Sequence, residues 1–271
     1  MNDRYGKRFS QLRKEGRKAF IPFTLLGWPD RKRSLEIIKG MIGSGATALE
    51  LGLAFSDPIA DGPTIQHAAF ETLSKNFKVT DAFDLLREVR RLDAEVPIGL
   101  LLYYNIILAH GIDRFFEHAA AAGVDAVLVA DLPPEVADEI APVAKKNNVK
   151  LIFIVSPLTT SDRLELVLKH AGAFLYLVSR LGITGAHERY DTRLKQIIDK
   201  VHGSTDLPVC VGFGISTPEQ AHAMLALGAD GVVTGSRIID LVGKNIDDSS
   251  LESLKSYLSS MVQAVTPSPA E

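Results

Sequence analysis

Short runs of apolar and β-branched residues alternate with helix-length amphipathic stretches along almost the whole chain. Eight runs read as strands: residues 20–26, 48–53, 98–103, 126–129, 151–155, 174–178, 209–212 and 231–234. Between them, apolar positions recur at helical spacing over 34–42, 65–74 with 82–92, 113–121, 134–146, 161–169, 192–201 and 218–227, and again over about 250–265. One local phrase repeats, in which a glycine ends a helix and a small residue leads into the next strand. It occurs at Gly45-Ala46, Gly123-Val124-Asp125-Ala126, Gly172-Ala173 and Gly228-Ala229-Asp230-Gly231. Glycine suits the left-handed cap of a helix, so the phrase marks the αβ turns of a repeated βα unit. Eight such units without a linker predict an α/β chain forming one (β/α)8 TIM barrel over residues 1–265, with extra N-terminal and loop helices. Periodicity by itself leaves an open doubly wound sheet available. Residues 266–271 read as a disordered polar tail.

Alternation also singles out one acid. Leu49 and Leu51 share one face of their strand, while Ala48, Glu50 and Gly52 share the other, so Glu50 points with two small residues into whatever the sheet encloses. A second carboxylate, Asp61, follows on a loop punctuated by Pro58, Gly62 and Pro63. One acid on a rigid strand and another on the adjoining loop suits acid–base chemistry, although a buried acid can equally pair with an Arg or cap a helix.

A barrel places its active site at the C-terminal ends of its strands. Tyr103, Tyr104 and Asn105 lie there after the third strand, where they either orient a ligand or satisfy loop backbone. Gly27-Trp28-Pro29-Asp30 reads as a turn, and Asp131 as a turn into the next helix with an acid facing the mouth. The segment 179–185, with two glycines, is a mobile lid or a flexible surface loop. Gly212-Phe213-Gly214-Ile215-Ser216 and Gly235-Ser236, followed by a short helix over 236–241, offer backbone N–H groups to an oxyanion where barrels often hold phosphate. The apolar Phe23, Leu101, Leu128, Tyr176 and Phe213 near the mouth fit a flat hydrophobic substrate portion or plain barrel core. Lys150 precedes the fifth strand at the opposite face, which argues against a Schiff-base aldolase.

Composition narrows the field. The 271 residues are 46% hydrophobic and 23% charged, which suits a soluble chain with a sizeable core. A net charge of −3 gives no electrostatic case for nucleic acid or anionic membrane. No apolar run reaches the roughly 18 residues of a membrane span, and the opening residues carry no signal-peptide core. Cys210 is the sole cysteine and the seven histidines form no ligand pair, so no metal is expected. The expected compartment is the reducing cytoplasm, although an organellar mature form would read the same.

Taken together, Leu-Glu-Leu-Gly-x-x-Phe-Ser-Asp-Pro-x-Ala-Asp-Gly-Pro-Thr-Ile-Gln over 49–66, the 179–185 loop, Gly212–Ser216, the 127–133 run and Gly235-Ser236 resemble the tryptophan synthase alpha chain family over about residues 9–265. The resemblance implies a lyase that splits indole-3-glycerol phosphate into indole and glyceraldehyde 3-phosphate. It implies Glu50 as general acid/base and Asp61 as the carboxylate that accepts the indole N–H and balances charge on the ring. It further implies Thr184 packing over Asp61 on lid closure, Gly185, Gly214, Gly235 and Ser236 as the phosphate cradle, and Phe23, Leu101, Tyr176 and Phe213 in the indole pocket, with Tyr103 and Leu128 as further substrate contacts. The implied partner is a tryptophan synthase beta chain in an α2β2 heterotetramer, with Asp57 a candidate contact and pyridoxal phosphate only on the beta chain, none on this one. Leu25, Trp28 and Ala54 depart from the common family pattern near the mouth. Two other functions remain open: a stand-alone lyase, and a non-catalytic activator of a beta chain.

Overall fold

The computed structural model describes residues 3–178, 187–246, 248 and 250–266, with 187–191 as backbone only. Eight parallel strands follow one another in chain order: β1 (Ala19–Leu25), β2 (Leu49–Gly52), β3 (Ile98–Leu102), β4 (Ala126–Val129), β5 (Lys150–Val155), β6 (Ala171–Val178), β7 (Val209–Gly212) and β8 (Gly231–Thr234). β8 pairs back onto β1 in the register Ala19↔Gly231 to Pro22↔Thr234, which closes the barrel and removes the open-sheet alternative.

Around it run α1 (Arg4–Lys14), α2 (Arg31–Gly43), α3 (Pro63–Ser74), α4 (Val79–Leu92), α5 (Tyr104–His110), α6 (Ile112–Ala121), α7 (Ala141–Lys146), α8 (Ser161–His170), α9 (His187–His202), α10 (Pro218–Ala226), α11 (Ser236–Lys244) and α12 (Glu252–Ala264). No helix among the described residues is long and apolar enough to cross a membrane.

Alternation along each strand divides the core in two. Leu49, Leu51, Leu100, Leu102, Val127 and Val129 face the helices, whereas Ala48, Ala126, Leu128, Ile152, Tyr176 and Cys210 fill the barrel interior. The helices answer with a single stripe. In α4 the buried residues are Ala82, Phe83, Leu85, Leu86 and Val89, the i, i+3, i+4, i+7 spacing of one helical face.

Three local expectations need correction. The helix expected over 134–146 is a 3₁₀-helix (Pro134–Glu139) followed by α7, because Pro142 has no N–H and is tolerated only in a first turn, where the helix restarts. Tyr104 and Asn105 are not loop but the start of α5, and the Tyr104 N–H donates to Asp131 Oδ1 at 2.7 Å. Asp131 thereby satisfies one of the N–H groups that a helix start leaves open. Gly45, Gly123 and Gly228 take left-handed φ values of +87°, +83° and +103°. Gly172 does not, because α8 runs directly into β6 with no turn between them.

The N-terminal end of the barrel is a closed floor. α1 buries Tyr5, Phe9 and Leu12, and the Tyr5 and Phe9 rings lie 5.9 and 6.4 Å from Phe174 inside the barrel. Beside it, Asp125 accepts from Arg4 at 2.7 Å, from Arg90 at 2.9 Å and from the Ile98 N–H at 2.9 Å. The matching Asp230 accepts from the Val209 N–H at 3.0 Å and pairs with His202 at 2.9 Å. In the two Gly-x-Asp phrases, then, the acid does more than shape a turn: it ties its own strand to the start of the preceding one. Lys150 also stands at this end, 2.7 Å from Asp3.

Candidate active site

At the other end the strands open into a cavity of about 380 Å³, lined by Phe23, Glu50, Asp61, Gly62, Ile65, Leu101, Tyr176, Phe213, Gly214, Ile215, Ser216, Val233, Gly235, Ser236 and Arg237. Glu50 rises from β2 between Phe23 on β1 and Gly99 on β3. It is only 4% exposed, and its Oε1 has no hydrogen-bond partner. A carboxylate in that position loses water and gains nothing in return. Burial, and then the negative charge of Asp61, push the Glu50 carboxyl up to about 8.

Asp61 sits one residue before the N-cap of α3, which is Gly62. Its Oδ2 accepts from the Tyr103 hydroxyl at 2.9 Å, and the same hydroxyl accepts from the Ala60 N–H at 3.0 Å. Gln66 on the first turns of α3 donates to the Asp61 carbonyl at 2.9 Å. Burial raises the Asp61 carboxyl, and the Tyr103 O–H acts in the opposite direction by favouring the ionised form. The two acids therefore have different environments: Glu50 is unpartnered against apolar walls, and Asp61 is held by a donor.

The walls are aromatic and aliphatic. Tyr176 and Phe213 meet edge to face at 5.8 Å, while Phe55 stacks on Tyr103 at 5.1 Å and backs the Asp61 loop. β7 and β8 each run into a glycine-containing turn at the cavity. Phe213 and Gly214 take φ values of +61° and +94°, and a Cβ at Gly235 would lie 2.8 Å from the Phe23 ring. A non-glycine residue held in the left-handed region is a strained conformation of the kind that clusters at ligand sites. α11 starts immediately after Gly235 with no side-chain cap, so its first turn faces the cavity with Ser236 and Arg237. A helix N-terminus with an adjacent guanidinium is well suited to an anion.

The structure thus brings Glu50, Asp61, Phe23, Leu101, Tyr176, Phe213, Gly214, Gly235 and Ser236 together around one cavity. Two expected contacts are not among the residues that line the cavity. Leu128 faces the barrel interior beside Leu101, its partner in register on β3, and is 2% exposed. Tyr103 stands behind Asp61 instead of on the cavity wall. Thr184 and Gly185, with the rest of 179–185, lie outside the described residues. Sequence reading missed Ile65, Val233 and Arg237 as lining residues. Val233 could have been found by the alternation of β8 and Arg237 by its place in the first turn after Gly235, whereas Ile65 depends on how the loop folds back.

A family model described as tryptophan synthase alpha chain matches residues 9–266. The tryptophan synthase alpha chain of Methanoregula boonei is 44% identical over 96% of this chain and 98% of its own length. That of Cronobacter sakazakii is 40% identical over 98% and 99%. Among solved structures, tryptophan synthase subunit alpha from Legionella pneumophila superposes with a TM-score of 0.89 at 32% identity, covering 98% of this chain and 99% of that one. A chain of the tryptophan synthase complex from Pyrococcus furiosus superposes with a TM-score of 0.81 at 32% identity, covering 91% and 99%. A full-length match in sequence, a shared barrel and a two-carboxylate mouth lead to one conclusion: this chain belongs to the tryptophan synthase alpha chain family.

Proposed function

We propose that the chain splits indole-3-glycerol phosphate into indole and glyceraldehyde 3-phosphate, with Glu50 and Asp61 as its catalytic residues. The observation that carries this reading is the buried, unpartnered Glu50 carboxyl, pushed up to about 8 beside a second acid that is hydrogen-bonded. At neutral pH such a group is a carboxylic acid, and protonating a ring carbon requires an acid. Glu50 gives its proton to the ring carbon that bears the side chain. The ring becomes cationic, and Asp61 accepts the indole N–H and balances the charge. The Glu50 carboxylate then takes the proton of the neighbouring side-chain hydroxyl. As that oxygen becomes the aldehyde carbonyl, the carbon–carbon bond breaks and its electron pair returns to the ring, releasing neutral indole. Glu50 ends protonated, as it began. The cycle needs no outside acid.

The cavity suits both ends of this substrate. Phe23, Leu101, Tyr176 and Phe213 give the indole ring apolar walls, and the Gly214 turn with Gly235, Ser236 and Arg237 offers N–H groups and a positive charge to the phosphate. The 179–185 segment, with Thr184 and Gly185, is assigned the role of covering the bound substrate.

We also assign the rim to a tryptophan synthase beta chain, which carries the pyridoxal phosphate in an α2β2 assembly. Ile59 after β2, Leu108 on α5, Val136 after β4 and Leu158 after β5 are all exposed, Ile59 by 81% and Leu158 by 66%. These apolar side chains, on the connections that follow β2, β3, β4 and β5, support a docking surface at the cavity end. Asp57 lies exposed among them.

The test is indole release from indole-3-glycerol phosphate by the purified chain, alone and with excess beta chain. Slow release that rises strongly with the partner upholds both assignments. Fast release from the chain alone leaves a self-sufficient lyase. No release in either condition leaves an activator of the beta chain and removes the roles given to Glu50 and Asp61.

A further inference from the structure

The turn after β1 holds the single tryptophan of the chain. Trp28 is 3% exposed, and its indole Nε1–H donates to Glu71 Oε2 of α3 at 2.7 Å. The far edge of the same ring rests on α11: a Cβ at Gly243 would lie 3.9 Å from Trp28 Cη2 and Cζ2. A second tie runs beside it, from Lys75 Nζ just past the end of α3 to the Pro29 carbonyl at 2.6 Å. α3 and α11 are the two helices whose first turns face the cavity, α3 starting directly behind Asp61 and α11 at Gly235-Ser236. Trp28 therefore touches the rear halves of both helices.

We propose that Trp28 is a positioning residue: by joining α3 to α11 it fixes the spacing between the Asp61 carboxylate and the anion cradle. The inference rests on the lyase reading above. A helix moves as a rigid element, so a tilt at its rear shifts its front. The tie to Glu71 is a hydrogen bond to a carboxylate, stronger than one between neutral groups, and it joins a buried indole N–H to a specific residue of α3. α3 and α11 also pack directly on each other, and an ordinary packing residue beside them would lack that directional bond. A substrate anchored by its phosphate on α11 must present its ring to an acid set by α3. Loosening the joint leaves every contacting group in place and spoils their relative orientation, and misplacement on the order of 1 Å is enough to cost as much as a hundredfold in rate.

The experiment uses the full chain with its beta chain and two variants. Trp28→Phe removes the donor and part of the ring. Glu71→Gln keeps the packing and replaces the charged acceptor. Both should lower kcat for indole-3-glycerol phosphate by about tenfold while KM stays within about twofold, because the cradle and walls are untouched. A role in packing alone would lower the melting temperature of Trp28→Phe and leave kcat per folded molecule unchanged in both variants, and that result overturns the proposal. A second readout does not depend on turnover. Because Trp28 is the only tryptophan, its emission should shift saturably as inorganic phosphate fills the cradle, and the shift should shrink in Glu71→Gln. If the wild-type chain releases no indole, the lyase reading fails and this titration alone decides the joint. A saturable shift that Glu71→Gln diminishes upholds it. Constant emission while calorimetry registers bound phosphate overturns it, as does the absence of any phosphate binding.

Discussion

The two ends of this barrel are built from the same strands and could hardly differ more. At the floor, the acids are matched: Asp125 meets two guanidinium groups and a backbone N–H, and Asp230 meets a histidine, a lysine and a backbone N–H. At the mouth, Glu50 has a carboxyl oxygen with no partner, Phe213 holds a left-handed backbone and apolar side chains stand in solvent. The floor pairs its acids, and the mouth leaves one of its acids without a partner. That contrast separates the end that holds the molecule together from the end that is free to react.

The largest effect expected from breaking this contrast is at Glu50. Glu50→Gln should lower indole release by about four orders of magnitude, the upper range for loss of a general acid, while calorimetry still detects substrate binding. The same variant should change the pH dependence of stability. With its carboxyl raised to about 8 by burial, the folded chain keeps a proton that the unfolded chain has already lost. Wild-type stability should therefore fall as pH rises from the usual carboxyl range towards about 8, and part of that slope should vanish in Glu50→Gln. Denaturant midpoints measured across that range check it.

At the floor, Asp125→Ala should cost about 3–5 kcal/mol of stability, because it strands the guanidinium groups of Arg4 and Arg90. Its kcat per folded molecule should not change. Asp61→Asn should lower kcat about a hundredfold by removing the ionised group that faces the developing cation. It should also lower the pH at which Glu50 titrates, since the Asp61 charge is one of the two causes of that shift. The pH–rate profile decides this. Gly214→Asp should raise KM by about tenfold, because a carboxylate repels the phosphate and a side chain at φ +94° is strained. The smallest effect is expected for Tyr103→Phe, a few-fold loss in kcat, since it frees Asp61 to rotate without removing its charge.

Most of the fold was legible because barrel strands alternate strictly and their turns repeat. Leu49, Glu50 and Leu51 assign themselves to opposite faces by period alone, and Gly45, Gly123 and Gly228 announce their turns. What stayed hidden depended on partners distant in sequence. Nothing near Tyr103 shows that its hydroxyl reaches back 42 residues to Asp61. Nothing near Trp28 reveals Glu71, and alternation alone does not say how high Leu128 stands relative to Glu50. Period tells which way a side chain points. Its height along the barrel axis comes only with the register between strands.

That register gives the Asp125 contact a further meaning. Asp125 holds the Ile98 N–H at the start of β3, and Ile98 is the residue paired with Leu49. A strand displaced by one residue turns its interior set outward. Such a slip in β2 would carry Leu49 or Leu51 into the place of Glu50 and replace the acid with a hydrocarbon. The floor contact thus works as an index mark at the far end of the sheet, holding β4 in phase with β3, whose Ile98 and Gly99 stand beside Leu49 and Glu50.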